Sequence, residues 1–185
     1  VPQMSLTNLI KNVKGWSTAK NLDKADPVKQ MQKLNEEFGE LNEARAKGNQ
    51  EKLADSIGDV VVVLTILSQQ MKFEKIESLI DPMQNGLKDF MKNEKPTDML
   101  LLYAAKEIGL IANCMIEHLH NPNLINTRTS IRFHIRNLVW MLAYIAINEG
   151  TDIESCLQMA WDEIKDRKGK MVDGVFVKQE DLGNG

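Results

Sequence analysis

Two pairs of carboxylates on successive helical stretches carry the clearest chemistry in this chain. The first lies in Lys33-Leu34-Asn35-Glu36-Glu37-Phe38-Gly39-Glu40-Leu41-Asn42-Glu43. Met31, Leu34, Phe38 and Leu41 recur at helical spacing and make one apolar stripe. At about 100° per residue, Glu37 falls at the edge of that stripe and Glu40 about 60° further round on the same side. Glu36 and Glu43 face the opposite flank and solvent. The second pair, Asp55 and Asp59, is spaced one helical turn apart. Asp59 is flanked by Val62, Val63 and Ile66 on a stretch that is apolar nearly all round from Val60 to Leu67. A carboxylate there is costly unless something compensates it. Glu37, Glu40, Asp55 and Asp59, facing one another across two antiparallel helices, form a ligand set for a hard divalent cation, Mg²⁺ first and Mn²⁺ as its substitute. A solvated helix face also produces glutamate runs, and a helix dipole alone favours an acid at Asp55. Asp59 is the residue these plainer explanations cover least well.

A basic cluster, Lys165-Asp166-Arg167-Lys168-Gly169-Lys170, closes the last helical stretch. Cations suit a helix C-terminus, and Gly169 reads as the residue just past it. The functional alternative is that Lys165, Arg167 or Lys168 holds phosphate oxygens opposite the metal. Acids for Mg²⁺ facing bases for phosphate is the pairing that phosphoryl chemistry uses. Trp16 and Lys33 are candidate substrate contacts, Trp16 by stacking on a base, although a core position suits the indole equally. His118 and His120, two apart, do not share a helix face, and His134 reads as a core histidine. No Gly-rich phosphate loop and no nucleophile elbow occurs.

Positioning these groups requires helices almost throughout. The periodicity predicts helices over about 6–19, 27–46, 51–71, 98–120, 129–148 and 153–168. A seventh, over about 73–91, is divided by Pro82. Asp26-Pro27 is an N-cap followed by a proline at the first helical position, and Gly48 a helix stop. Asp173-Gly174 within 171–177 is a hairpin signal. The residues 179–185 read as a frayed tail.

The chain also resembles itself. Residues 55–70 align with 133–148 without a gap, Glu37-Phe38-Gly39 meets Glu107-Ile108-Gly109, and Ile76-Glu77-Ser78 meets Ile153-Glu154-Ser155. Glu40 then falls on Leu110 and Asp59 on Asn137, so the second copy has lost acids that the first keeps. The organisation expected is a first repeat over 1–92 with the acidic site, a degenerate repeat over 97–178 ending in the basic segment, and a tail over 179–185. Lys92 to Thr97 links the two repeats.

Composition narrows the function classes. In 185 residues, 43% are hydrophobic and 26% charged, with a net charge of −3. That is enough apolar material for a core and no basic excess for nucleic acid. Cys114 and Cys156 match no metal-ligand spacing and no disulfide framework, which fits a reducing cytoplasm. The longest uninterrupted apolar stretch, Leu138 to Ile147, is about half of what a bilayer needs, and no secretory signal pattern opens the chain.

Glu36-Glu37-x-x-Glu40, followed after a turn by Ile57-Gly58-Asp59 and a valine-rich helix, resembles the MazG-like nucleoside triphosphate pyrophosphohydrolases. So does the ending from Ile164-Lys165-Asp166-Arg167-Lys168-Gly169-Lys170 to Val175-Phe176-Val177-Lys178. The likeness covers about residues 16–80 and 150–180. It implies an all-α fold related to the dimeric dUTPases and Mg²⁺-dependent cleavage of a (d)NTP to the monophosphate and pyrophosphate. By this resemblance Glu37 and Glu40 match one ligand pair and Asp59 the end of the other. The acid usually three residues before Asp59 is replaced by Ser56, with Asp55 as the substitute one turn earlier. The tandem repeat implies a pseudo-dimeric helix bundle within one chain, with one composite site, and a possible homodimer of such pseudo-dimers. Glu36 or Glu40 is the candidate general base. The partner expected is a nucleoside triphosphate, with neither nucleic acid nor a membrane. The alternative function is a catalytically inactive helical interaction or nucleotide-binding protein that keeps the fold. A di-iron bundle would need Glu-x-x-His pairs, which the sequence lacks.

Overall fold

A computed structural model describes residues 3–183, so Val1, Pro2, Asn184 and Gly185 of the expected first repeat and tail lie outside the described residues. The fold is all-α apart from one short hairpin. Its helices are α1 (Leu6–Ala19), α2 (Pro27–Lys47), α3 (Gln50–Gln70), α4 (Ile76–Leu79), α5 (Leu87–Phe90), α6 (Thr97–His120), α7 (Ile125–Asn148) and α8 (Ile153–Ile164). Strands β1 (Gly169–Val172) and β2 (Val175–Lys178) follow, paired antiparallel with Gly169 opposite Lys178.

The helix limits have local causes. The Ser5 hydroxyl accepts from the Asn8 amide, Asp26 from Val28, Asn49 from Lys52 and Asp152 from Ser155. Gly48 ends α2 at φ 66°, a left-handed conformation that glycine adopts without a Cβ penalty. Because only Gly48 and Asn49 separate α2 from α3, the two helices pack as an antiparallel hairpin. α6 and α7 form a second such hairpin.

Several boundaries differ from the sequence-based expectation, and the helix expected over 73–91 is reduced to the short α4 and α5, with turns around Pro82 between them. α7 begins at Ile125 rather than near Thr129, because Asn121 closes a tight turn onto the Leu124 amide and the Thr127 hydroxyl bonds back to the Leu124 carbonyl. α8 ends at Ile164, so Lys165 to Lys168 form the turn into the hairpin and not a last helical turn. Gly169 is accordingly no helix cap. It opens β1, where a Cβ would lie 2.2 Å from the Val177 carbonyl oxygen. The tail is also more regular than expected: Gln179–Leu182 forms a 3-10 turn, anchored by the Gln179 amide on the Lys168 carbonyl at 2.8 Å.

The core forms around α3. Every side chain from Val60 to Ser68 is buried, and α3 packs against α1, α2, α7 and α8. Gly58 permits the approach of α8, since a Cβ there would sit 2.1 Å from the Cys156 carbonyl oxygen. By length and composition α3 and α6 could each cross a bilayer. In α3, 72% of the apolar window is buried inside the molecule, but in α6 only 39% is. The outward side of α6 exposes Leu102 (66%), Ile116 (56%) and Leu119 (51%).

Candidate functional site

A cleft of about 210 Å³ opens between α1, α2, α3 and the C-terminal hairpin. Six of the sequence-predicted residues line it: Trp16, Lys33, Glu36, Glu37, Asp59 and Arg167. They arrive from four separate segments, and helical phase explains most of the arrangement. The edge position of Glu37 on the α2 stripe turns it towards α3, leaving it 8% exposed. Asp59 meets it from α3, one residue beyond the close α3–α8 contact at Gly58.

The acids are held by lysines. Lys33 Nζ lies 2.9 Å from Glu37 Oε1 and 3.3 Å from Glu36 Oε1. Burial opposes the Lys33 charge, but its hydrogen bond and attraction to Glu37, with Glu36 behind, hold its pKa above the ordinary lysine value. Lys52 Nζ lies 2.9 Å from Glu40 Oε2 and 3.5 Å from Asp55 Oδ2. Asp59 is different, since among the described residues no ion pair or side-chain hydrogen bond compensates it. Burial first, then the charges of Glu37, Asp55 and Glu163, push its pKa up to about 7, with Lys52 pulling weakly the other way. Burial and then Glu163 also raise Asp55.

Four of the predicted residues do not line the cleft. Glu40 and Asp55 sit beyond it, joined through Lys52. Lys165 turns to Asp162 at 3.0 Å, and Lys168 borders a separate depression with Glu163 and Asp166. Among the described residues, no three His, Cys, Asp or Glu side chains form a ready metal-ligand group, so the four acids are not brought together as one coordination set. Glu37, Asp55, Asp59 and Glu163 repel one another, and Lys33, Lys52 and Arg167 are their cationic partners.

Sequence reasoning missed Gln30, Glu163, Phe176 and Lys178. Gln30 is buried at the cleft and donates to the Val63 carbonyl at 3.2 Å. Glu163 holds Arg167 at 2.8 Å. Phe176 and Lys178 are two apart on β2, so they face one side of the hairpin, and that alternation was the available signal.

Glu107, His134 and Asn137 stand where the internal alignment puts Glu37, Ser56 and Asp59. Glu107 is buried, its Oε2 2.6 Å from His134 Nδ1 and its Oε1 3.5 Å from Asn137 Nδ2. His134 is thus satisfied by a buried partner, but it is half-buried and not the core histidine its apolar setting predicted.

The chain is similar to a known phage protein. The chain is 43% identical over 72 residues to the "uncharacterized 18.2 kDa protein in rep-hol intergenic region" of Haemophilus phage HP1 (strain HP1c1). That stretch is 38% of this chain and 44% of the relative, so the match spans less than half of either protein. No protein-family model matches the chain, and no solved structure does.

Proposed function

We propose that this chain is a Mg²⁺-dependent nucleoside triphosphate pyrophosphohydrolase of the MazG-like type, converting a (d)NTP and water to the (d)NMP and pyrophosphate. The observation that carries the proposal is Asp59: a carboxylate pushed to about 7 by burial and by Glu37, Asp55 and Glu163, in a cleft that Lys33, Arg167 and Lys178 also line. Closely spaced carboxylates beside a cluster of bases are what a metal–triphosphate ligand complements.

In this proposal Glu37 and Asp59 hold the cation, with Asp55 and Glu163 adding negative charge. Bound Mg²⁺ would neutralise charge developing on the phosphates. Lys33, Arg167 and Lys178 bind and orient phosphate oxygens. Glu36, exposed at the cleft and held only by Lys33, takes the proton of the attacking water. Glu40 is the weaker candidate for that role, because Lys52 occupies its carboxylate outside the cleft.

The two helical hairpins and their aligned acids support a tandem pseudo-dimer with one active copy. The exposed apolar side of α6 supports pairing of two chains. The buried free thiols of Cys114 and Cys156 support a reducing, cytoplasmic setting, and the HP1 relative a phage or bacterial one.

A second reading is a nucleotide-binding or interaction protein without turnover. It is favoured by the Glu40–Lys52 pair and by Ser56, which is fully buried with no hydrogen-bond partner. Screening pyrophosphate release over canonical and modified (d)NTPs, with and without Mg²⁺, separates the two. Release that requires Mg²⁺ supports the enzyme, and nucleotide binding without release supports the alternative.

A further inference from the structure

A second charged depression, of about 400 Å³, lies where the end of α3 meets the first turns of α7. It shares no lining residue with the cleft. Lys72, Lys75, Arg128 and Arg132 line it, against one carboxylate, Glu74. Among the described residues, none of these four cations forms an ion pair.

The arginines have a structural part. Arg128 donates to the Met71 carbonyl at 2.7 Å and to the Lys72 carbonyl at 3.2 Å, and Arg132 to the Glu74 carbonyl at 2.8 Å. Both guanidinium groups lie against Phe73, 5.5 and 5.7 Å from the ring centroid. They are thus held side by side one helical turn apart, an arrangement that like charges disfavour. A guanidinium carries five N–H donors, so each keeps some for a further acceptor.

The lysines have no such part. α3 ends as α2 does: Phe73 and Lys72 bond back to the Ser68 and Gln69 carbonyls, as Asn49 and Gly48 do to Ala44 and Arg45. The left-handed residue of this stop is Gly48 in α2, at φ 66°, but Lys72 in α3, at φ 58°. Lys75, which precedes α4, is left-handed too, at φ 52°, and its side chain caps nothing. A Cβ makes this conformation costly, and glycine or asparagine adopts it more readily. Stability alone therefore favours other residues at both positions, yet both carry exposed lysines aimed at no internal partner.

Backbone strain that the fold does not use, beside uncompensated like charges, marks a ligand site. We infer that this depression binds phosphate groups, those of a free oligophosphate or of a single-stranded nucleic acid. A net charge of −3 does not describe this face, where four cations meet one acid. With no cluster of carboxylates to hold a metal, it takes the anion without Mg²⁺, unlike the cleft.

The test is calorimetric titration of the full chain in EDTA, with inorganic pyrophosphate, with a single-stranded oligothymidylate and with polyglutamate. The natural protein is expected to bind at least one of the first two, and polyglutamate at least about tenfold more weakly. Lys72→Gly combined with Lys75→Asn is expected to weaken the phosphate ligand by about tenfold or more. The same double variant is expected to melt higher by about 2 °C or more, because the strain is relieved. Opposite directions of binding and stability exclude a merely unfolded variant. Pyrophosphate binding alone identifies a free-anion site. Oligothymidylate binding, with a salt dependence that flattens in the variant, identifies a nucleic-acid site. No binding of either ligand, equal binding by the variant, or equal affinity for polyglutamate overturns the inference. A variant that binds less and also melts lower overturns it too, since the lysines are then structural. The titration needs neither Mg²⁺ nor turnover, so its failure leaves the hydrolase reading standing, and absence of hydrolysis leaves this site standing.

Discussion

Glu107 and His134 meet at 2.6 Å on the α6–α7 hairpin, at the places where the α2–α3 hairpin has Glu37 and Ser56. The buried acid of the α6–α7 hairpin is compensated by an imidazole from within the protein. That of the α2–α3 hairpin is paired with Lys33 at the edge of a cleft and faces a second carboxylate, Asp59, which has no such partner among the described residues. The two hairpins thus hold their buried acids differently, one closed by an internal partner and one open to a cleft.

One binding site per chain follows. Titration with an imido-nucleotide and Mg²⁺ should give a stoichiometry near one. Glu107→Gln should leave that binding intact while lowering stability by about 1–3 kcal/mol, because His134 loses its charged partner. Two equivalent nucleotides per chain would contradict the asymmetry.

The Asp59 pKa fixes the sign of a pH effect in metal-free protein. Its folded value, about 7, lies above the ordinary 3.8, so folding favours the neutral acid. Stability is therefore unpenalised below about pH 4, falls as pH rises, and carries the full cost above about pH 7. Asp59→Asn should match the natural protein near pH 3.5 and exceed it at pH 8 by on the order of 2–4 kcal/mol. Added Mg²⁺ at pH 8 should raise the Tm of the natural protein and not of the variant. Chemical denaturation at the two pH values checks this, and a less stable Asp59→Asn at pH 8 would contradict it.

Much of this was legible in the chain because it is local. Caps such as Asp26-Pro27 and Gly48 set helix ends, and the phase of Glu37 and Asp59 against their apolar stripes showed which acids turn inward. What was not legible depends on contacts between distant segments. Glu40 has the right spacing, yet Lys52 from α3 draws it away from the cleft. Gly169 looked like a helix stop, but its lack of a side chain serves the packing of β2. Phe176 belongs to the site only because Trp16, 160 residues earlier in the chain, receives it.

If the proposal holds, the cations that line the cleft should matter and those outside it should not. Arg167→Ala and Lys178→Ala should each raise KM for the nucleotide by about tenfold or more, while Lys165→Ala, whose ammonium pairs with Asp162, should stay within about twofold. Steady-state kinetics of the three variants distinguish them, and an equal effect of all three would point to general electrostatics instead.

Close packing of α3 gives the strongest stability prediction. Gly58→Ala drives a methyl group into the Cys156 carbonyl and should cost about 2 kcal/mol or more, visible as a lowered Tm. Ser56→Glu, which would restore the acid that the family resemblance expects, should likewise destabilise, since Ser56 is 0% exposed and a buried unpaired carboxylate is costly.

The central claim, metal-dependent cleavage between the α and β phosphates by the Glu37–Asp59 cleft, is tested most directly by ³¹P NMR of a (d)NTP incubated with the natural protein, Glu37→Gln and Asp59→Asn. The account predicts that, with Mg²⁺, the natural protein produces nucleoside monophosphate and pyrophosphate in equal amounts. It predicts that both variants keep their helical circular dichroism but lose at least about a hundredfold in rate. Diphosphate and orthophosphate as products, turnover without a divalent cation, or near-normal rates in both variants would contradict it.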